Sequence, residues 1–377
     1  METQGFFYFS TMNERVLSLD VLRGMTVCLM IIVNTPGNSA TTFAPLLHAH
    51  WHGFTPTDWV FPTFMFVVGN AMSFSLTKHE SKGERVFLKK IFKRFALIFL
   101  LGFLMYWFPF FHEENGVWVF NPLSQTRVLG VLQRIALGYL LASLILHYWK
   151  EKGAVVFSVV ALLGYWFLLY AFGDYTLTGN AVLKLDLALL GENHLYHGEG
   201  LAFDPEGLLS TLPAIVNVIA GYLAGRFILK KGNSYETIAK LMIAGVVLLF
   251  VAGCWNMIFP INKKLWTSSF VIHTVGLDLL ILPLLIFTID IKHYKSWTYF
   301  FEVFGKNTLF IYLLSEIGIV FFWMINVGDQ TLYSWLYQHV FQITGDYTGS
   351  LLFAMGWMLT CWSAGWWMDK KKIYVKV

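Results

Sequence analysis

The sequence is short of charge. Asp, Glu, Lys and Arg make up 13% of its 377 residues, where a soluble domain carries about a quarter. That shortage excludes an ordinary water-soluble protein. Cysteine is scarce as well. Cys28, Cys254 and Cys361 fall in or beside apolar runs and lack the spacing of a disulfide framework or a metal cluster, so they read as packing residues. Residues 1–14 contain neither the basic nor the apolar region of a cleaved signal peptide, and the first spanning helix is expected to direct the chain to the membrane. The formal net charge of +4 does not point to nucleic acid, because the basic residues cluster beside helix ends. No connection is composed like a separate soluble domain, so residues 1–377 are expected to form one domain.

Apolar residues are abundant: 56% of the chain is hydrophobic and 18% aromatic, with a mean hydropathy of +0.59. Apolar runs of about 18 residues or more recur along the whole length, the pattern of an all-α, polytopic membrane bundle. About ten spanning helices are expected, near 16–34, 58–77, 90–109, 129–148, 154–172, 208–229, 237–255, 267–289, 307–325 and 350–368. Lysine and arginine concentrate in alternate connections. They fill the second (Lys78, Lys82, Arg85, Lys89, Lys90, Lys93, Arg94), the fourth (Lys150, Lys152), the sixth (Arg226, Lys230, Lys231), the eighth (Lys292, Lys295) and the tail (Lys370, Lys371, Lys372, Lys376). The odd connections are basic-poor: the first and ninth have no lysine or arginine, and the seventh has Lys263 and Lys264. The positive-inside rule then places both termini in the cytoplasm, and puts the first connection, the acidic connection 173–207 and the segment 326–349 on the far side.

Ionisable groups inside spanning helices face a bundle interior or a wet cavity and are functional candidates by default. Asp20 and Arg23 stand at i,i+3 on the first helix, as an internal ion pair or a ligand contact. Asn34 ends that helix, where an asparagine also serves as a C-terminal cap. Gln133 and Arg134 lie in the fourth helix, with Arg134 about two turns from Arg127 on the same side. Arg134 could meet a carboxylate, a phosphate or an oxyanion, or form a bridge to Glu316 or Asp278. Asn307 and Glu316, with Asn70, Asn217, His273 and Asp278, suggest a polar core. The outer connection 173–207 combines Asp186, His194, Asp204 and Glu206 with tyrosines, a composition that suits a sugar or a cationic amine as well as a solvated acidic loop.

The stretch from His48 to Pro62 stands out. It joins two apolar runs, carries three histidines, two tryptophans and one acid, and has no lysine or arginine. Thr57 or Asp58 is placed to cap the second helix, with Pro62 tolerated in its first turn. His48, His50 and His52 alternate, so in an extended segment they would share one side, and a metal site is one reading. A single histidine acting as general base or nucleophile needs only one oriented imidazole.

This loop is also where a family resemblance enters. Asn34, His48-Ala49-x-Trp51-x-Gly53-x-Thr55 and Asp58-x-Val60-Phe61-Pro62 resemble the membrane family of heparan-α-glucosaminide N-acetyltransferase. Arg127-x-x-Gly130-Val131-Leu132-Gln133-Arg134, Leu190-Gly191-x-x-His194-Leu195-Tyr196, Asp204-Pro205-Glu206-Gly207, Asn262-Lys263-x-Leu265-Trp266, Gly305-x-Asn307 and Lys371-Lys372-Ile373 continue the likeness from about Arg15 onward. The compact size resembles a bacterial branch, and Asp20-x-Leu22-Arg23-Gly24 is similar to the wider transmembrane acyltransferase superfamily. The family departs from this chain at His50 and His52, where it carries small polar residues, and at Leu187, where it carries arginine.

The resemblance implies transfer of acetyl from cytosolic acetyl-CoA to the amine of a glucosamine-type sugar across the membrane. It implies a bacterial inner-membrane location with the loop facing the periplasm, and a homodimer by analogy. The family's active histidine falls on His48 and its neighbouring asparagine on Asn34. His48 would take the proton from the attacking amine or accept the acetyl itself. Asn34 would orient the imidazole or bind the oxyanion. Asp58 would orient His48 or meet the sugar ammonium. Gln133 and Arg134 would hold a phosphate or the pantetheine amides, and no metal is called for. The competing reading from the residues alone is an amino-sugar transporter, which paired broken helices would support.

Overall fold

The computed structural model describes residues 17–80, 83–114 and 116–375, the side chains of 77–80 excepted. Residues 1–14, Arg15, Lys82, Lys376 and the side chain of Lys78 therefore lie outside the described residues. The chain is overwhelmingly helical. In order come α1 (Leu17–Asn34), α2 (Pro56–Glu80), α3 (Glu84–Trp107), α4 (Val131–Phe172), α5 (Ala181–Leu190), α6 (Thr211–Lys231), α7 (Tyr235–Asn256), α8 (Ser268–Leu285, continued by a π-helical turn Ile286–Ile291), α9 (Thr298–Lys306), α10 (Thr308–Met324), α11 (Leu332–Leu336) and α12 (Asp346–Lys370). Two antiparallel hairpins qualify the all-α expectation. β1 (Phe111–Glu114) pairs with β2 (Val117–Phe120), with Phe111 opposite Phe120, and β3 (Asn326–Val327) pairs with β4 (Gln330–Thr331).

A helix stands at each of the ten expected positions. Among the described residues six helices are long and apolar enough to cross a membrane, namely α1, α2, α4, α6, α7 and α8 with its π-helical turn. The pair α9–α10, bent by 82° at Asn307, makes a seventh. The helix α4 contains two of the expected spans. At 42 residues it would be roughly 60 Å long if straight, twice the hydrocarbon thickness. It breaks at Lys150, whose φ of 57° is left-handed. The two arms fold back together: Arg134 stacks on the Trp266 ring, and Tyr165 donates to the adjoining Leu265 carbonyl. A straight helix would hold Arg134 and Tyr165 roughly 45 Å apart.

Burial separates a central set from a peripheral one. In α1, α2, α6 and α8, 61–67% of the most apolar window is buried, against 22% in α4 and 28% in α7. Val156, Phe167, Ile243 and Phe250 point outward, as lipid-facing side chains do. The protein is thus an integral membrane protein. At its centre α2 and α6 touch backbone to backbone. A Cβ on Gly69 would lie 1.8 Å from the Val218 carbonyl oxygen, and one on Gly221 would lie 1.8 Å from that of Phe66. Small residues allow such approach where no hydrophobic effect drives helices together. This contact fixes the middle of α2, whose N-terminal end carries the His48 loop.

Candidate active site

The start of α2 builds the site. The helix begins at Pro56, a residue suited to a first helical position because its missing N–H would have no partner there. The cap position therefore belongs to Thr55, and Asp58 lies in the first turn, which corrects the expectation that Thr57 or Asp58 caps the helix. The Asp58 carboxylate, 1% exposed, reaches back to close a capping box. Its Oδ2 accepts the Thr55 N–H at 3.0 Å, the Thr55 hydroxyl at 3.1 Å and the Ala49 N–H at 3.0 Å. Its Oδ1 accepts His48 Nδ1–H at 2.7 Å. One carboxylate therefore starts the helix and orients the histidine. With Nδ1 donating to Asp58, the lone pair lies on Nε2, and the His48 side chain is 40% exposed.

The segment between α7 and α8 forms the facing wall. Asn262 folds it: its backbone N–H donates to the Thr267 hydroxyl at 3.0 Å and its side-chain oxygen accepts the Leu265 N–H at 2.8 Å. Trp266 takes a left-handed φ of 52°, a strained conformation for a bulky residue and a recurrent mark of functional sites. The indole is fixed by Asn217 Oδ1 at 3.1 Å. This fold places the Lys263 amine 3.0 Å from His48 Nε2 and 3.2 Å from Nδ1. The two segments are laced together elsewhere. Gly53 N–H donates to the Ile261 carbonyl at 2.9 Å, Lys264 donates to the His50 carbonyl at 2.9 Å, and His52 Nδ1 lies 3.3 Å from the Asn262 amide. The three histidines thus have separate partners and do not converge. Among the described residues no group of three His, Cys, Asp or Glu side chains could hold a metal.

A second polar cluster lies behind this wall. Arg127 grips Asp204 with two hydrogen bonds of 2.8 and 2.7 Å and Glu206 with one of 2.7 Å, while its guanidinium rests between the Tyr106 and Tyr196 rings. His194 donates through Nδ1 to the Thr126 carbonyl at 2.7 Å and so fixes the segment that carries Arg127. Asp186 accepts the Leu208 N–H at 3.0 Å. Arg127 precedes α4, so it does not share a helical face with Arg134. Arg134, 1% exposed, donates to the Gly207 carbonyl at 3.0 Å and to the Ser210 hydroxyl. It makes no bridge to Glu316 or Asp278, because its guanidinium turns toward the segment leading into α6.

The remaining candidates are scattered. Asn34 donates to Glu316 at 3.3 Å, and Asp58 rather than Asn34 orients the imidazole. Gln133 is fully buried, and neither atom of its amide has a hydrogen-bond partner among the described residues. Asp20 and Arg23 pair at 3.0 Å and brace α1 against α9 through the Gly305 carbonyl. Asn307 binds the tail, donating to the Ile373 carbonyl and accepting the Val375 N–H, each at 2.9 Å. Asp20 lies roughly 20 Å along α1 from Asn34. Lys263 and Arg127 are the two residues that the sequence did not single out as site residues.

Burial pushes the His48 imidazole below its ordinary value; the Asp58 hydrogen bond opposes this and the Lys263 and Lys264 charges reinforce it. The ring is therefore neutral near pH 7. Burial likewise lowers Lys263, against the pull of Glu206 and Asp58. For Glu206, burial raises the carboxyl, but Arg127, Arg134 and Lys263 outweigh it and hold the group ionised. An oriented neutral imidazole with its free nitrogen beside an amine is suited to moving a proton off nitrogen.

The family model described as "Heparan-alpha-glucosaminide N-acetyltransferase, catalytic" covers residues 15–259, more than half of the chain. The human protein named heparan-alpha-glucosaminide N-acetyltransferase is 28% identical over 368 aligned residues, covering 82% of this chain and 54% of its own length. The mouse protein of the same name is 28% identical over 365, covering 81% and 54%. The chain spans about half the length of these curated relatives. By the extent of the catalytic family match, the chain belongs to the heparan-alpha-glucosaminide N-acetyltransferase family.

Proposed function

We propose that the protein is a membrane N-acetyltransferase that moves acetyl from acetyl-CoA to the amine of a glucosamine-type sugar, with His48 as general base. The observation that carries this reading is the Asp58–His48 pair, which leaves Nε2 unprotonated and facing a space where an amine already sits at 3.0 Å. The acceptor amine, neutral and near Nε2, attacks the thioester carbonyl. A C–N bond forms and the C–S bond breaks. His48 takes the proton from the nitrogen and returns it to the departing thiolate. This direct route is adopted here over an acetyl-imidazole intermediate. Arg134 Nε and Nη1 and both Gln133 amide atoms have no hydrogen-bond partner among the described residues, and a pantetheine arm or a phosphate would satisfy them. Asp186, Asp204 and Glu206 serve the sugar side indirectly, by fixing the segment before α6 through Leu208 and Arg127.

The same reading adopts ten crossings, both termini cytoplasmic, the His48 loop facing the periplasm of a bacterial inner membrane, and a homodimer by family analogy. The basic even-numbered connections support the orientation. Purified protein in detergent tests the activity. Adding glucosamine should release CoA thiol from acetyl-CoA, and His48→Ala should insert, run monodisperse and lose that release. Near-normal turnover in His48→Ala would sink the assignment of His48. Glucosamine uptake into vesicles without acetylation would favour a transporter.

A further inference from the structure

The proposed transfer leaves Lys263 without a role. Its side chain is half buried, and among the described residues its amine has only the His48 ring as a polar neighbour, lying over it 3.0 Å from Nε2 and 3.2 Å from Nδ1. Its chain neighbour is in the opposite state. Lys264 is held in an ion pair with Glu199 at 2.5 Å and by the His50 carbonyl at 2.9 Å. A primary aliphatic amine over the imidazole, 3.0 Å from Nε2 and 3.2 Å from Nδ1, stands in the space beside His48 that an amino-sugar acceptor needs. Burial also shifts Lys263 toward its neutral, nucleophilic form.

We propose that Lys263 fills the acceptor-amine position of the sugar-free site and is itself acetylated on Nζ by the acetyl thioester when no acceptor is present. This inference rests on the functional reading above. The neutral Nζ attacks the thioester carbonyl carbon, the C–N bond forms, and the C–S bond breaks. His48 Nε2 accepts the proton released from Nζ and passes it to the thiolate, so the products are Nε-acetyl-lysine and CoA thiol. The amide has no basic lone pair and cannot pass its acetyl on. It stays where the acceptor should bind, and the site is blocked. A sugar that displaces Lys263 protects it.

The test uses the purified full chain incubated with acetyl-CoA and no sugar, followed by intact mass and fragment sequencing. The expected result is an acetyl group on Lys263, stable to hydroxylamine, with none on Lys264. Saturating glucosamine should suppress it, and His48→Ala should slow it by about 100-fold or more. The inference is overturned by a chain that acetylates glucosamine yet leaves Lys263 unmodified. It is equally overturned by labelling that is alike on Lys263 and Lys264 and unchanged in His48→Ala, or by an acetyl that hydroxylamine removes. A chain that acetylates neither sugar nor lysine overturns the functional reading and this inference together.

Discussion

Asp58 performs two tasks with two oxygens, and substitutions can separate them. Thr55→Ala removes the hydroxyl that bonds the Leu47 carbonyl and Asp58 Oδ2. It should cost about 1 kcal/mol of stability, as a lost hydrogen bond does, with most of the activity retained. Asp58→Asn should instead lower kcat/KM by about 10²–10⁴-fold, because it removes the charge that holds His48 in its working tautomer. Thermal unfolding and steady-state kinetics on the two variants check this contrast. Lys263 sets the pH response. Its ammonium disfavours a second positive charge on the imidazole, so it lowers the His48 value. Activity needs the neutral ring, which exists above that value. Removing the cation in Lys263→Met should therefore move the acid limb of the kcat/KM profile to higher pH, and a limb that stays or moves down contradicts the coupling. The stretch from His48 to Pro62 stood out in the sequence as a polar segment between two apolar runs, and the family resemblance, not the residue pattern, singled out His48 within it. Lys263 was not singled out, since its partner is far away in the chain. A trace existed: the seventh connection carries Lys263 and Lys264 where the first and ninth carry no lysine or arginine, and lysines placed against the positive-inside rule have some other reason to be there.

At the scale of elements, a buried ionic tie joins the segment before α4 to the segment before α6. Arg127 neutralises Asp204 and Glu206 in a site where all three are largely shielded from water. Arg127→Met would leave two buried carboxylates without their cation. Breaking a buried pair in this way costs about 3–5 kcal/mol, and the expected outcome is a clear drop in the thermal inactivation temperature in detergent. Long apolar runs made the helices readable, and even the turn at Lys150 was visible as a gap between two expected spans. The partner of Arg134 was not readable. The pattern of apolar and polar positions shows that a buried arginine needs an acceptor, but the Gly207 carbonyl and the Ser210 hydroxyl leave no mark in composition. The capping assignment failed for a similar reason. Thr55, Thr57 and Asp58 are all competent caps, and only the position of Pro56 at the helix start decides among them.

At the scale of the whole molecule, orientation is the property that most constrains the chemistry, because CoA and sugar do not cross lipid. In a Cys254→Ser background, a cysteine at Ser234 should be shielded from a membrane-impermeant maleimide in intact spheroplasts, whereas one at Glu192 should react. The reverse pattern would invert the topology and place the His48 loop in the cytoplasm. The lacing of that loop also bears on how the protein is made. His48 is synthesised early, yet its surroundings come from much later in the chain: Trp51 donates to the Tyr175 carbonyl at 2.7 Å, Gly53 to the Ile261 carbonyl at 2.9 Å, and Lys263 closes on the imidazole. A nascent chain released before α8 is translated holds the histidine without the wall that completes its site. Catalytic competence would then arrive only near the end of biosynthesis, and fragments left by stalled ribosomes would sit in the bilayer without consuming acetyl-CoA.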